Sequence, residues 1–157
     1  MRRRAGFSLI EVLVVLTIMG ILVRVAYPRY SYVRKQAQSR AAVADVRVIR
    51  DATLNYHQDR GSWPTETGAG QTPPGLAPYL PQGFDFDRGA YELDFEAWPN
   101  PAPPGAPGGG GTLIGVAVGT LDADLAAELR KLGASGLPYF VSGTKTTFVL
   151  DGLDGIS

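Results

Sequence analysis

The sequence predicts an α+β fold, in which a long N-terminal helix packs on a small antiparallel β-sheet that carries one further short helix. Three observations support this prediction. The first sixty residues have the pattern of one helix, apolar in front and amphipathic behind. The remainder holds short apolar or alternating segments, separated by most of the 12 prolines and 20 glycines. Lys and Arg outnumber acids by eleven to four through Arg60, and acids outnumber them by eleven to four afterwards, which indicates two parts with different surroundings.

The front of the predicted helix is apolar enough to meet a membrane. From Phe7 to Val23 the only polar side chains are Ser8, Glu11 and Thr17. Such a run rises about 25 Å as a helix, at the short end of what spans a bilayer. A carboxylate within it costs roughly 2.5–3.5 kcal/mol at mid-membrane, and no small-residue cleavage site follows. The run therefore differs from a cleavable secretory signal, although a soluble secreted protein remains an alternative.

The pattern after Val23 predicts that the same helix continues to about Arg60 with a single buried face. Pro28 removes a backbone hydrogen bond, so we expect a kink just before it. Gly61 should end the helix. The expected buried stripe repeats at spacings of three and four residues, and comprises Tyr30, Val33, Ala37, Ala41, Ala44, Val48, Ala52 and Tyr56, widened by Ala42, Val46 and Ile49.

The segments after the long helix predict three or four strands, which should pack on its rear half. Within the first strand Glu92, Asp94 and Glu96 alternate with apolar residues, so we expect them on the solvent side. The predicted elements are a helical turn at Gly75–Leu80, a half-buried strand at Ala90–Trp98, a more buried strand at Leu113–Gly119 and a closing hairpin around Ser142–Lys145.

A further helix is predicted between the second strand and the hairpin, within "TLDADLAAELRKLG". Either Thr120 or Asp122 caps it, acids lie early and basic residues late, and Gly133 follows. Its expected apolar stripe consists of Leu121, Leu125, Leu129 and Leu132.

Catalytic and ligand-binding motifs are scarce. His57 is the only histidine and there is no cysteine, which excludes a His/Cys zinc site within one chain. We expect His57 to be a solvated residue near the helix end, because nothing in the spacing supports a histidine triad. Asp151 and Asp154 on the turn "LDGLDG" are weak calcium candidates, and a plain turn with exposed aspartates is favoured. The basic half of the chain gives no clear nucleic-acid footprint.

The stretch "GFSLIEVLVVLTIMGILVRVAYP" resembles the N-terminus of type IV pilins and of the pseudopilins of type II secretion. In that family a prepilin peptidase cuts before the apolar run and methylates the new terminal amine. The resemblance implies cleavage between Gly6 and Phe7 and N-methylation of Phe7. It also identifies Glu11 as the family's assembly glutamate and Pro28 as its helix-kinking proline. The later "LNYHQDRGSWPT" resembles the helix end of major pseudopilins.

The resemblance divides the chain into four parts. It implies a cytoplasmic leader at 1–6 that is removed, a transmembrane and filament-core helix at 7–26, its amphipathic continuation at 27–60, and a periplasmic or extracellular domain at 61–157. The implied protein is a single-pass inner-membrane subunit, a pseudopilin or minor pilin of a pilus-like filament. Its implied partners are the prepilin peptidase, other pilin or pseudopilin subunits and the inner membrane. Alternatives are a monomeric membrane-tethered binding module and a competence-pilus subunit for DNA uptake.

The resemblance also gives Glu11 a physical role. Cleavage after Gly6 would create an α-amino group four residues before Glu11, and methylation keeps that amine cationic. A carboxylate among hydrocarbon is tolerated when it meets a positive partner. In the family's filaments this partner is thought to be the terminal amine of the neighbouring subunit. We therefore expect assembly to be the activity, with no catalysis, no required cofactor and no nucleic-acid partner.

Overall fold

The computed structural model describes residues 8–99, 112–133 and 136–151, except for the side chains of Pro99 and Asp151. The chain divides into two compact units, residues 1–35 and residues 36–157. Each unit is described by itself below.

The first helix, α1, covers Leu9–Arg60, 52 residues, and continues through Pro28 without interruption. The prediction of one long helix is confirmed, whereas the kink at Pro28 stays a prediction. Gly61 ends the helix as expected. Its φ of 65° is left-handed, and its N–H donates to the carbonyl of His57 at 2.8 Å, which is the usual glycine C-cap.

The second unit contains a four-stranded sheet whose neighbouring strands are all antiparallel, in the order β1-β2-β4-β3. A second helix, α2, connects β2 to β3, and a turn of 3₁₀-helix precedes β1. Each of these elements falls where the sequence places it. Their bounds are Ala77–Tyr79 for the 3₁₀ turn, Glu92–Pro99 for β1, Thr112–Gly119 for β2, Ala123–Gly133 for α2, Tyr139–Ser142 for β3 and Lys145–Asp151 for β4.

The core lies between one face of the sheet and the rear of α1. Val46 and Ile49 are fully buried there, in one cluster with sheet residues such as Phe95 and Phe148 and with Leu129 of α2. The predicted packing of the sheet on the rear half of the helix is therefore confirmed. The predicted stripe was shifted, however. The buried residues of α1 are Ser39, Ala42, Val46, Ile49, Ala52 and Thr53.

The shift of the stripe has a simple cause. Ala41 and Ala44, which we placed at its centre, are exposed. The row through Ala41 and Ala44 and the row through Val46 and Ile49 both recur at helical spacing. The buried row is the one that carries the larger Val46 and Ile49. Burying these side chains removes more apolar area from water, so they set the face and bring the polar Ser39 and Thr53 inside with them.

Helix α2 begins at Ala123, two residues later than its predicted stripe required. Asp122 is the N-cap, because its Oδ1 accepts hydrogen bonds from the backbone N–H of Asp124 at 3.0 Å and of Leu125 at 3.2 Å. Leu125 and Leu129 are buried as expected. Leu121 precedes the cap and is 100% exposed, so its placement in the apolar stripe was wrong.

The predicted solvent side of β1 was also partly wrong. Glu92 is exposed, but Asp94 is only 7% exposed. The neighbouring strand β2 presents Gly115, Ala117 and Gly119 opposite the acidic residues. Because these residues are so small, long side chains from β1 and β4 fold over β2 and cover this face.

Candidate assembly site

The apolar part of α1 has no cover within its own unit. Its large apolar residues from Leu9 to Val25 are all at least 45% exposed. Among the described residues, α1 is the one helix that is long and apolar enough to cross a membrane. Soluble chains rarely expose so much contiguous apolar surface, and such a surface indicates contact with lipid or with other protein.

Glu11 lies in the first turn of this exposed helix. Its backbone N–H donates to the carbonyl of Ser8 at 3.1 Å, and the N–H of Val12 donates to the same carbonyl at 3.3 Å. Ser8 therefore occupies the position before the helix. No residue that the structure describes makes an ion pair with the Glu11 carboxylate.

The first-turn position offsets only part of the cost of that carboxylate. The positive end of the helix dipole favours a negative charge there by typically 0.3–1 kcal/mol. Placing a carboxylate in a membrane centre costs roughly 2.5–3.5 kcal/mol. The dipole is thus too weak by itself to offset this cost. Wherever the helix is surrounded by hydrocarbon, a cationic partner has to offset the rest of the cost.

Besides Glu11 the apolar run contains the polar residues Ser8 and Thr17, and the Thr17 side chain is satisfied within the helix. The Thr17 hydroxyl donates to the carbonyl of Leu13 at 2.8 Å. Ser31, beyond the run, donates in the same way to the carbonyl of Pro28 at 2.9 Å. Glu11 is thus the charged side chain of this run, and no described residue forms an ion pair with it. The predicted processing residues Gly6 and Phe7 lie outside the described residues.

In the second unit, one ionic contact connects α1 to the segment before β1. Asp45 of α1 accepts two hydrogen bonds from the Arg88 guanidinium, at 3.0 and 3.1 Å, and one from the Tyr91 hydroxyl at 2.7 Å. Arg88 also stacks on the Phe84 ring, 4.5 Å from its centre. Burial, followed by the hydrogen bond to Asp45, raises the pKa of Tyr91 well above its usual value. No local pattern predicted this contact, since its partners lie 43 residues apart.

A second ionic group covers the outer face of the sheet. Lys145 Nζ donates to Asp94 Oδ2 at 2.7 Å and lies 3.5 Å from Glu96 Oε1. The hydrogen bond that Lys145 donates to Asp94 raises the pKa of Lys145. Burial raises the pKa of Glu96, against the opposing effect of Lys145. The group thus places one cation between a buried acid, Asp94, and a half-buried acid, Glu96, and its contacts join β4 to β1.

His57 differs from the solvated residue that we expected. Its ring is half-buried and stacks on Trp63, with centroids 3.9 Å apart and planes 8° from parallel. Its Nδ1 is buried without a hydrogen-bond partner. The stack joins the end of α1 to the loop that follows, so a packing role replaces the predicted exposure.

The residues considered for metal binding remain candidates on sequence alone. Asp151 is the last residue of β4, and Asp154 lies outside the described residues. Within the ranges that the structure describes, no group of three or more His, Asp or Glu side chains is arranged to hold a metal ion.

The apolar helix is exposed and carries one carboxylate near its start, and the chain also has a small α+β unit. These features define a class of proteins that need lipid or other subunits to cover that helix. Comparisons with known proteins identify the class. Residues 1–26 match the family model described as the prokaryotic N-terminal methylation motif. No solved structure matches the chain.

Curated relatives extend the match beyond the first helix. The chain is 32% identical to type II secretion system core protein G of Vibrio cholerae over 126 residues, covering 79% of this chain and 84% of the relative. It is 29% identical to core protein G of Aeromonas hydrophila, covering 64% and 71%. It is 36% identical to the type IV major pilin PilE1 of Neisseria gonorrhoeae over 69 residues, covering 44% and 32%.

The chain belongs to the family of type IV pilins and type II secretion pseudopilins. It is a structural subunit of the pilus-like filament type, with an N-terminal methylation motif. Its relatives are structural pilins and pseudopilins, and its apolar helix is consistent with anchoring in the inner membrane. The motif implies processing by prepilin peptidase and assembly with other subunits.

Proposed function

We propose that this protein is a pseudopilin of a type II secretion apparatus. The observation that carries the proposal is the extent of the similarity. The match to core protein G of Vibrio cholerae covers 79% of the chain and so includes much of the second unit, whereas the match to the gonococcal pilin covers 44%. A competence pilus or a monomeric membrane-tethered binding module gains no comparable support.

Processing defines the mature subunit in this proposal. Prepilin peptidase removes residues 1–6 by cutting between Gly6 and Phe7, and then methylates the amine of Phe7. Residues 7–26 hold the subunit in the inner membrane and later form the filament core. Residues 27–60 continue the helix, with the kink near Pro28, into the periplasmic domain at 61–157.

Glu11 sets the register of assembly. Its carboxylate has no ionic partner in the described part of the chain, and the helix dipole offsets only part of its cost in hydrocarbon. The methylated amine of the neighbouring subunit supplies the missing positive charge. The carboxylate and the amine meet only at one axial offset between neighbouring helices. At that offset their attraction compensates the desolvation cost of both charges.

The activity of the protein is assembly, so the chain needs no catalytic residue and no cofactor. Asp94 and Glu96 of β1 are engaged with Lys145, which supports a structural role for them. The proposed assembly requires no calcium at Asp151 and Asp154.

Intact mass spectrometry of the full chain, expressed with a prepilin peptidase and extracted from membranes, tests the processing step. The expected species begins at Phe7 and carries one additional methyl group. Gly6→Ala is expected to accumulate as the unprocessed chain, because the peptidase cuts after the glycine. A mature chain that keeps its arginines at positions 2–4, or that begins near Tyr27, contradicts the proposal.

A further inference from the structure

The second unit has an open groove of about 200 Å³ between α1 and the connection from α2 to β3. Val43, Leu137 and Phe148 give it an apolar floor, and Arg40 and Arg47 of α1 line it. Both arginines are exposed. They lie seven residues apart, which places them two turns apart on the same side of the helix. The groove therefore suits an apolar side chain that is accompanied by negative charge.

The same chain carries a surface feature of this kind. Leu121 is 100% exposed, although large apolar residues elsewhere in the second unit are mostly covered. Asp122 and Asp124 follow it directly, and both are exposed. An apolar side chain beside two carboxylates complements an apolar groove beside two guanidinium groups, in shape and in charge.

The leucine and the groove lie at opposite ends of α2. Leu121 precedes the first turn of that helix, whereas Leu132 and Gly133 of its last turn line the groove. Eleven residues of helix separate the two ends by about 16 Å. Leu121 thus cannot fill the groove of its own molecule. A contact between these two different patches joins successive copies head to tail, and repeated contacts of this type build open helical polymers.

We propose that the groove of one subunit receives Leu121 of the next subunit in the filament, with Arg40 and Arg47 facing the carboxylates of Asp122 and Asp124. This inference rests on the proposed function, because it needs a filament. It adds a contact between the second units of neighbouring subunits, besides the contact that is proposed for Glu11. The contact specifies which subunit pairs can form, since unlike charges at the groove steer the approach and like charges oppose it.

Cysteine cross-linking in filaments of the full chain tests the contact, since the natural sequence contains no cysteine. Ala44 is exposed and lines the groove. Co-expressed Ala44→Cys and Leu121→Cys chains are expected to form covalent dimers under a short bis-maleimide. Neither variant alone should do so, because the contact joins different patches. The matched control pairs Ala44→Cys with Thr144→Cys, which is also an exposed residue, and should give background dimer only.

Two substitutions give an independent measurement. Leu121→Ser is expected to reduce filament yield about tenfold without changing the melting temperature, because the side chain is buried only between copies. Arg47→Glu should reduce the yield as well, and Asp124→Lys in the same chain should restore it. Filaments that form normally with Leu121→Ser, or cross-links no stronger than the control, overturn the contact and leave the proposed function standing. A wild-type chain that forms no filaments overturns the proposed function, and this contact with it.

Discussion

Arg88 donates two parallel hydrogen bonds to the Asp45 carboxylate, from Nε to Oδ2 at 3.0 Å and from Nη2 to Oδ1 at 3.1 Å. The Asp45 side chain is 16% exposed and that of Arg88 30% exposed. The Tyr91 hydroxyl adds a third hydrogen bond at 2.7 Å. The contact attaches the segment before β1 to the long helix, and it does so in a partly desolvated position, where such bonds are stronger than at the surface.

Arg88→Ala should destabilise the second unit by about 1.5–3 kcal/mol, since it removes a bidentate hydrogen bond to a charged group and leaves Asp45 half-buried without its cation. Urea unfolding of the full chain in detergent measures this change. The matched control is Lys131→Ala, which removes a single contact from a 68% exposed lysine to Glu128 at 2.6 Å and should cost less, about 0.2–1 kcal/mol. Equal losses in the two variants would show that Arg88 contributes no more than a surface charge.

The ionic group on the outer face of the sheet predicts a pH dependence. The folded-state pKa of Glu96 is raised by burial, so the folded chain binds a proton that the unfolded chain has released. Between the ordinary pKa of glutamate and the raised value, stability therefore falls as the pH rises. Glu96→Gln should remove this slope and stabilise the fold at pH 7 by about 0.5–1 kcal/mol. Unfolding midpoints from pH 4 to 8 measure it.

Lys145 contributes a slope of the same sign as Glu96 but in the alkaline range, and it serves as the control for that experiment. The pKa of Lys145 is raised by the hydrogen bond that it donates to Asp94. Its contribution to stability is therefore fully present below the ordinary pKa of lysine and is lost only as the pH rises through the higher folded value. The slope in the acidic range should thus persist in Lys145→Arg. If Glu96→Gln leaves the acidic slope unchanged, burial of Glu96 does not control it.

Two glycines of β2 offer a matched pair of substitutions. A Cβ on Gly115 would lie 3.0 Å from Thr147 Cγ2 and from Trp98 Cζ3, and 3.2 Å from the carbonyl oxygen of Phe148. Gly115→Ala should cost about 1–3 kcal/mol through overpacking. A Cβ on Gly119 would meet only Lys145 Cγ, at 3.9 Å, so Gly119→Ala should be neutral or slightly stabilising.

Thermal unfolding of the two alanine variants measures this difference. Trp98 crosses the position of Gly115 and reaches Phe140, with ring centroids 5.8 Å apart, so tryptophan fluorescence should also change in Gly115→Ala. Equal stability of the two variants would contradict the packing of Trp98 over Gly115.

Local patterns in the sequence predicted most of the fold. The strands and α2 were found because apolar periodicity and capping residues are local signals. The face of α1 was predicted only in part. Ala42, Val46, Ile49 and Ala52 are buried as expected, but Ala41 and Ala44 are exposed, because only packing on the sheet selects between the two rows. Leu121 was wrongly assigned to the apolar stripe of α2, because the helical spacing of the leucines extends to Leu121 although it precedes the Asp122 N-cap.

The contacts that connect distant segments could not be predicted. Nothing local distinguishes Asp45 and Arg88 from other surface charges. The burial of Asp94 depends on the small residues of a neighbouring strand and on Lys145, which lies 51 residues away. Glu11 was the exception, because a single carboxylate within an apolar run is itself a local anomaly and identifies the candidate site without any tertiary contact.

The filament yield of Glu11→Gln tests the central claim most directly, with Thr17→Val as its matched control. Both variants alter a polar residue of the same apolar run, but the Thr17 hydroxyl is already bonded to Leu13. We expect Glu11→Gln to be cleaved and methylated yet to form no filaments, and Thr17→Val to assemble like the wild type. Normal filaments from processed Glu11→Gln chains would contradict the pairing of Glu11 with a neighbour's terminal amine.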